Sequence, residues 1–379
     1  MLIQREISQD VKKATPPKTV VVLGPRQVGK STLFKQIIDP VNSLWLDGDK
    51  PRHVKLLVDA YQNDEISSLL QRAPTLVIDE AQRVPNIGVI LKLLVDENQS
   101  TQIFATGSSS LELASGVRES ALGRLELFQL WPFSLAELVN SKGRWNIQQS
   151  LAEKVVYGMF PDAVAQDQPA NFLSYYASEL LYKDLFALAG VRSSATFENL
   201  VYQLAAHIGQ EISYDSLARE VGLNKVTVIR YIDLLEQCFV VKVCHSFSSN
   251  LENELKKGKK IYFTDTGVRN AILNDFSPLS SRSDAGALWE NFFFMERVKQ
   301  NAYRRNRRSL RFWRTRSNAG VKPKEVDFVE IQDRKVINAF ECKLSGSAHS
   351  RAQSEFLSRY PDVNFQLVSP DNVMEILDV

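Results

Sequence analysis

The amino-acid sequence predicts an α/β fold that begins with a mainly parallel sheet covered by helices on both faces. Short runs rich in Val, Ile, Leu and Phe alternate with segments of helical periodicity in the first third of the chain. A glycine-containing turn directly follows the first run and opens a helix. The predicted strands are Thr19–Leu23, Ser43–Leu46, Thr75–Ile78, Gln102–Ala105 and Arg124–Leu130, with helices such as Lys30–Ile38 and Val89–Glu97 between them. Strands that alternate with helices form right-handed crossovers and therefore a parallel sheet.

The composition is that of an ordinary globular protein, with 379 residues, 44% hydrophobic and 24% charged. At ~100–200 residues per domain, this length predicts two or three domains. Three cysteines without metal-type spacing indicate reduced thiols and a cytoplasmic location. The apolar runs are far shorter than the ~20 residues that cross a bilayer. Residues 1–13 carry charges throughout, so no signal peptide and no membrane partner are expected.

A phosphate-binding loop follows the first predicted strand. Residues 24–31 fit the pattern GxxxxGK[ST], with a strand before and a helix after, as this motif requires. Backbone N–H groups and the helix N-terminus would bind the phosphates of ATP. We expect Lys30 to contact the β- and γ-phosphates and Ser31 to ligate Mg²⁺. The predicted nucleotide-binding residues are Gly24, Pro25, Arg26, Gln27, Val28, Gly29, Lys30, Ser31, Thr32 and Asp79.

Two carboxylates close the third predicted strand, at the sheet edge where ligands of such folds bind. We expect Asp79 to enter the Mg²⁺ shell and Glu80 to polarise an attacking water. Alone, an acidic pair would equally indicate a solvated turn. Downstream of a phosphate loop it favours ATP hydrolysis, so Glu80 and Lys30 are predicted catalytic residues.

Further polar positions are candidates for a catalytic role. Thr106–Ser109 ends the fourth predicted strand, and Ser108 would sense the γ-phosphate; a simple turn is the alternative. Arg124 would stabilise charge on the transferred phosphate, from within the chain or from a neighbouring copy. A surface arginine is the alternative for this position. Arg26 would approach phosphate from within the loop.

A second set of polar residues lies near the carboxyl end of the chain. Glu341 and Lys343 are two residues apart in a predicted strand, which places them on one face. Asp327 and Glu341 are predicted to share a divalent metal, with Lys343 beside it and Glu290 as a further ligand. Neighbouring carboxylates repel one another unless a cation or proton neutralises them, and Lys343 offers only one positive charge. This is the pattern of metal-dependent phosphodiesterases; a solvated ion pair is the alternative.

Basic residues are concentrated in one stretch, although 46 Lys+Arg nearly balance 44 Asp+Glu overall. The stretch contains no acidic residue and comprises Lys299, Arg304, Arg305, Arg307, Arg308, Arg311, Arg314, Arg316, Lys322 and Lys324. Such a block predicts contacts with a phosphate backbone.

A helix-turn-helix pattern precedes that stretch. Helices are predicted over Phe197–Ile208, Tyr214–Val221 and Lys225–Gln237, followed by a strand over Phe239–Val243 and a polar wing over Ser246–Lys260. Asn224, Lys225, Thr227 and Arg230 would open the helix that enters a major groove. A packing or oligomerisation module is the alternative.

The motifs together resemble the prokaryotic AAA-type P-loop ATPases, in the branch with a winged helix and a C-terminal restriction-endonuclease-like domain. The matching segments are Gly24–Leu33, Val77–Gln82, Thr106–Ser109, Gly123-Arg124, Pro132–Ser134, Phe263–Gly267, Glu325–Phe328 and Glu341–Lys343. The resemblance implies an ATPase core over residues 1–134, a helical lid over 135–192, a winged helix-turn-helix with its connector over 193–282, and a nuclease-like domain over 283–379.

The expected function is ATP binding and Mg²⁺-dependent hydrolysis in a DNA-associated enzyme. The rival hypothesis is a nucleotide-gated switch or interaction protein whose nuclease-like domain is catalytically silent. Duplex DNA and further copies of the chain are the partners left open.

Overall fold

The computed structural model describes residues 2–14, 16, 18–98, 100–108, 123–179, 194–247, 258–315, 323–345 and 351–379. Ser109, Arg316, Lys322, the last part of the predicted lid (180–192) and most of the predicted wing (248–257) lie outside these residues. The chain forms two compact units. The first contains Met1–Phe133 and Gln237–Phe239, and the second contains Ser134–Glu236 and Val240–Val379.

The first unit contains a parallel sheet, which confirms the predicted α/β class. Its five strands in the described residues are β1 (Thr19–Leu23), β2 (Ser43–Asp47), β3 (Thr75–Asp79), β4 (Gln102–Gly107) and β5 (Leu125–Gln129). The strand order is β2-β3-β4-β1-β5, and all pairs are parallel. Every residue of β1 is buried because helices cover both faces of the sheet.

Helices connect these strands and bring their carboxyl ends to one edge. They are α1 (Ser8–Lys13), α2 (Lys30–Ile37), α3 (Pro51–Gln62), α4 (Ile66–Leu70) and α5 (Ile87–Asp96). Leu23 pairs with Gly107, and Ile78 pairs with Ala105, so the ends of β1, β3 and β4 are neighbours. The segments that follow these three strands therefore form one surface.

The second unit begins with helices that surround a small antiparallel sheet. The helices are α6 (Leu135–Lys142), α7 (Arg144–Tyr157), α8 (Pro161–Ala165), α9 (Pro169–Glu179), α10 (Ser194–Ala206), α11 (Tyr214–Val221), α12 (Lys225–Gln237) and α13 (Thr266–Leu273). The sheet order is β6 (Glu211–Ile212), β8 (Lys259–Phe263), β7 (Val241–His245). The strand predicted from Phe239 starts two residues later, because Phe239 has a left-handed φ of 59°.

A mixed sheet completes the second unit. Its order is β12 (Asn364–Val368), β11 (Lys335–Cys342), β10 (Glu325–Gln332), β9 (Ser309–Arg314). β9, β10 and β11 are antiparallel neighbours, and β12 is parallel to β11. The accompanying helices are α14 (Ala285–Tyr303), α15 (Arg351–Arg359) and α16 (Val373–Ile376). Helix α14 is buried along most of its length. Among the described residues, no helix is long and apolar enough to span a bilayer.

Asp265 joins two segments of the second unit that are distant in sequence. It caps α13 by accepting from the N–H groups of Gly267 and Val268, and it also accepts from Met159 N at 2.7 Å. Burial raises the pKa of Asp265, and these N–H donors oppose that effect. A Cβ added to Gly267 would lie 2.1 Å from the carbonyl oxygen of Tyr157. The family-like segment Phe263–Gly267 therefore has a structural role.

We expect Gly267→Ala to lower the free energy of unfolding by about 1–3 kcal/mol, because a backbone carbonyl blocks the new methyl group. Gly286→Ala is the matched control, since nothing lies within 4 Å of its added Cβ at the start of α14. The control should leave stability unchanged or raise it by up to ~1 kcal/mol. Urea unfolding of both variants measures the difference. Equal stability of the two variants would contradict this account of the segment.

Candidate functional site

The predicted phosphate loop connects β1 to α2 in a conformation that glycine permits. A Cβ on Gly24 would lie 2.1 Å from the carbonyl oxygen of Leu130, so the backbones approach closely here. Gln27 and Gly29 have left-handed φ values of 57° and 95°. Lys30 is 4% exposed, and its Nζ donates to the carbonyl oxygens of Gly24 at 3.0 Å and Pro25 at 2.8 Å. The lysine ammonium is thus held against the loop.

The other predicted loop residues differ in what their side chains can reach. Val28 is buried in the core, so only its backbone is available to a nucleotide. Arg26 and Ser31 are half-buried, while Thr32 is exposed in the first turn of α2.

Arg5 supports this loop, and the sequence interpretation missed it. Its guanidinium is 4% exposed and donates to the carbonyl oxygens of Val28 at 2.8 Å and Trp131 at 2.5 Å. It also lies 4.9 Å from the centre of the Phe133 ring. Arg5 therefore joins the loop to the segment after β5. A lone arginine near the start of the chain carries no motif that would have revealed this contact.

Asp79 and Glu80 lie next to β4, as the sheet register requires. The Thr106 hydroxyl donates to Asp79 Oδ1 at 2.5 Å and accepts from the backbone N–H of Glu80 at 2.9 Å. Glu80 has a left-handed φ of 49°, an uncommon conformation for a residue with a side chain. One hydroxyl group thus fixes both the Asp79 carboxylate and the turn that carries Glu80.

Gln82 links Glu80 to Ser108. Its Nε2 donates to Glu80 Oε2 at 2.5 Å and to Ser108 Oγ at 2.8 Å. Its Oε1 accepts from Ser108 N at 3.4 Å. Gln82 therefore connects Ser108, predicted to sense the γ-phosphate, to the carboxylate of Glu80, predicted to polarise water. The bridging role of Gln82 was not predicted.

Arg124 lies at the amino ends of the parallel strands, whereas the phosphate loop follows a carboxyl end. The prediction that Arg124 acts on phosphate from within its own chain is therefore wrong. Its carbonyl oxygen accepts from Thr19 N at the amino end of β1, and its Nε lies 2.9 Å from Asp96 Oδ1. The phosphate loop follows the carboxyl end of the same strand, ~15 Å away at ~3.3 Å per residue. Supply of this arginine by a neighbouring copy stays a prediction.

The second predicted site is a carboxylate cluster that includes an unforeseen lysine. Lys260 of β8 is 2% exposed, and its Nζ lies 2.6 Å from Glu325 Oε1 and 3.1 Å from Glu290 Oε1. The Tyr262 hydroxyl donates to Glu290 Oε1 at 2.5 Å. We call Lys260, Glu290, Glu325, Asp327 and Glu341 the carboxylate cluster.

The predicted nuclease-like residues flank this lysine. Cys342 N donates to Asp327 Oδ2 at 2.8 Å. Lys343 Nζ lies 2.8 Å from Glu341 Oε1, while Glu341 Oε2 is buried and accepts no hydrogen bond from the described residues. The structure therefore brings Asp327, Glu341 and Lys343 to one place, as predicted from their strand positions.

Electrostatic effects in the cluster favour a retained ammonium. Burial alone would lower the pKa of Lys260, but the charges of Glu290, Glu325 and Asp327 raise it. Burial raises the pKa of Asp327 well above its usual value, and repulsion by Glu290 and Glu341 raises it further. Lys260 thus supplies a positive charge that the sequence does not reveal, because it lies far along the chain from Asp327 and Glu341. Across the described ranges, no three His, Cys, Asp or Glu side chains are grouped so as to hold a metal ion.

The basic stretch does not form one continuous cationic surface, contrary to its appearance in the sequence. Carboxylates within 4 Å pair with most of the described members: Lys299 with Glu296, Arg304 with Asp378, Arg308 with Glu330, Arg314 with Glu211 and Glu325, and Lys324 with Glu355. These acidic partners lie outside the stretch itself. Contacts of this stretch with a phosphate backbone stay a prediction.

Two residues predicted to read a DNA groove have local partners. Asn224 Oδ1 accepts from Thr227 N at 2.8 Å and thereby caps α12. Lys225 Nζ lies 2.7 Å from Asp215 Oδ2. Their contacts account for both residues without a nucleic acid.

Comparisons with known proteins agree with the nucleotide-site geometry. A family model described as an AAA domain matches residues 16–139. Two domains of unknown function match residues 148–279 (DUF8612) and 285–376 (DUF4143). Residues 16–139 therefore match a P-loop domain of the AAA type, and two further domains follow it.

Individual proteins extend the comparison. An uncharacterized protein of Mycobacterium tuberculosis is 30% identical over 346 residues, covering 88% of this chain and 73% of the relative. The chain belongs to the same family as this protein. One from Methanocaldococcus jannaschii is 26% identical over 325 residues, covering 72% and 66%. A Walker-type ATPase of Pyrococcus abyssi aligns with a TM-score of 0.47 at 15% identity, over 71% of this chain and 93% of that one.

Proposed function

We propose that the first unit binds ATP with Mg²⁺ and hydrolyses it. The observation that carries this proposal is the shared edge of β1, β3 and β4, where the phosphate loop, Asp79 and the Glu80–Gln82–Ser108 chain of hydrogen bonds follow adjacent strand ends. A site for binding alone would not need a carboxylate held by Gln82, which Ser108 contacts in turn.

The residues suit the proposed roles chemically. The loop N–H groups and Lys30 bind the phosphates, and Thr106 orients the Asp79 carboxylate. The hard oxygens of Asp79 and Ser31 fit Mg²⁺, which neutralises developing charge on the phosphates when bound. Glu80 accepts a proton from the attacking water, and Gln82 positions Glu80 relative to Ser108. Arg5 keeps the loop in its binding conformation.

We further propose that the second unit associates with DNA and carries a nuclease-like domain. Helix α14, the β9–β10–β11 meander, helix α15 and β12 support this, with Asp327 on β10 and Glu341 on β11. The small sheet and helices α10–α12 support a winged helix.

Lys260 inside the carboxylate cluster favours the hypothesis that the nuclease-like domain is catalytically silent. Its ammonium takes the place among the carboxylates that a metal ion would need. We propose that the domain is catalytically silent and that ATP gates its association.

One incubation tests the proposed ATP hydrolysis and the silence of the nuclease-like domain. The full chain with ATP, duplex DNA and either Mg²⁺ or excess EDTA is followed for phosphate release and for DNA integrity. We expect phosphate release that EDTA abolishes, and intact DNA in every sample. ATP turnover that is equal with EDTA would contradict the role of Mg²⁺. DNA cleavage that Asp327→Asn removes would contradict the silent domain.

A further inference from the structure

A cleft in the second unit is lined by basic side chains, some from the basic stretch and some from later in the chain. Its volume is about 750 Å³, and it lies between the β10–β11 turn, the start of β9 and the end of α15. Arg307, Arg311, Arg334, Lys335 and Arg359 line it, against Asp333 and Asp362. Arg359 pairs with Glu355 at 2.6 Å, so four further basic side chains against two acidic ones give the cleft a positive field. We call it the basic cleft.

The basic side chains are presented from separate parts of the fold. Asp333 and Arg334 have left-handed φ values of 49° and 65° and form the two-residue turn between the paired Gln332 and Lys335. This turn places Arg334 and Lys335 at the end of the sheet. Arg307, Arg334 and Lys335 are exposed, and none of the three forms an ion pair with a described carboxylate. These charges are therefore available to an anion.

Aromatic surface accompanies the charge. Tyr360 is half-buried in the cleft, with its ring centre 5.9 Å from that of Phe247. Arg359 lies 5.6 Å above the Trp313 ring, which fixes its stem beside the cleft. A positively charged groove with an aromatic platform is the arrangement that binds single-stranded nucleic acid, through phosphates and stacked bases.

We propose that the basic cleft binds a single strand of nucleic acid, with phosphates on Arg307, Arg334 and Lys335 and a base against Tyr360. A concave site of this volume matches a few nucleotides rather than the broad surface of a duplex. The cleft is separate from the carboxylate cluster, since Asp327 lies near the start of β10 and Ile331 of the cleft near its end. The proposal rests on the proposed association with DNA and is independent of ATP hydrolysis.

The test measures fluorescence anisotropy of a labelled twelve-nucleotide oligo-dT with the full chain, both with and without ATP, at several salt concentrations. The cleft variant replaces Arg307, Arg334 and Lys335 with Gln. The control variant replaces Lys12, Lys35 and Arg144 with Gln; these exposed residues lie in α1, the last turn of α2 and α7, outside the basic cleft, the basic stretch and the predicted helix-turn-helix. Both variants lose three positive charges. ATP turnover of both should equal that of the unaltered protein.

We expect the cleft variant to lose affinity on the order of tenfold or more, with a shallower salt dependence by ~0.7 per lost phosphate contact. The control variant should change little. Tyr360→Leu should weaken binding on the order of tenfold, whereas Tyr360→Phe keeps the ring and the affinity. A duplex of the same length should bind less tightly than the single strand.

The outcomes separate the cleft from the wider proposal. If the unaltered protein binds the strand and the cleft variant binds it equally well, the cleft is not the site, although the association with DNA stands. If the unaltered protein binds neither strand nor duplex, both proposals fail while ATP turnover is unaffected. Tighter binding of duplex than of single strand overturns the assignment of the ligand.

Discussion

Glu80→Gln stops ATP turnover while ATP binding stays within a few-fold of the unaltered protein. The substitution removes the group that accepts a proton from water, and general-base catalysis typically contributes ~10²–10⁴-fold. The amide keeps the size of the side chain, and the backbone contact to Thr106 remains. Phosphate release measures turnover, and a fluorescent ATP analogue measures binding.

Two companion variants define what this result means. Lys30→Ala should abolish tight ATP binding, because Lys30 is the positive side chain held at the loop. Glu65→Gln makes the same chemical change at an exposed position outside the site and should alter neither quantity. Turnover by Glu80→Gln equal to that of the Glu65→Gln control would show that Glu80 is not the base.

Lys260→Met is the second change with a large expected effect, on stability. Removing one partner of a buried ion pair typically costs ~3–5 kcal/mol, because the other charges stay buried without compensation. Lys260 is 2% exposed and contacts Glu290 and Glu325 directly. Lys242→Met is the control, since its pair with Glu236 is partly exposed and contributes little. Urea unfolding at pH 7 should separate the two variants clearly.

The pH dependence of that loss gives an independent check. The folded-state pKa of Asp327 is already raised by burial and by Glu290 and Glu341, and loss of Lys260 raises it further. A carboxyl group whose pKa is higher in the folded than in the unfolded state favours folding at low pH and opposes it as the pH rises. The loss of unfolding free energy caused by Lys260→Met should therefore become smaller as the pH falls from 7 towards 5.

Mn²⁺ distinguishes a lysine-held cluster from a metal centre. It should raise the unfolding temperature of Lys260→Met more than that of the unaltered protein, because the variant lacks the ammonium among its carboxylates. Stabilisation of the unaltered protein by Mn²⁺ that Asp327→Ala removes would restore the metal site predicted from the sequence.

Contiguous motifs made the nucleotide site predictable. The loop of residues 24–31 and the pair Asp79-Glu80 carry their chemistry in adjacent residues, and alternating apolar runs gave the strands that place them. Arg5 and Gln82 were missed because each acts through a contact with a residue elsewhere in the chain. Arg124 was misplaced because it precedes its strand, whereas ligands bind where parallel strands end.

The contacts of charged residues were harder to predict from the sequence than the phosphate-loop motif. The basic stretch contains no acidic residue, yet its carboxylate partners come from other segments, such as Glu296, Glu330 and Asp378. The same limitation concealed Lys260, which is near its carboxylates only in the folded chain. Periodicity reports which face a residue occupies, but not which distant side chain lies opposite.

Lys260 also restricts how this protein can change by recombination. The lysine is encoded before the helix and mixed sheet whose carboxylates surround it. A gene exchange that replaced only the chain from residue 283 onward would keep Lys260 and remove Glu290 and Glu325, so the buried ammonium would lose its partners unless the incoming segment supplied carboxylates at the same places. Strand β8 and the sheet that contains Glu325 and Asp327 are therefore expected to be inherited, lost or replaced together.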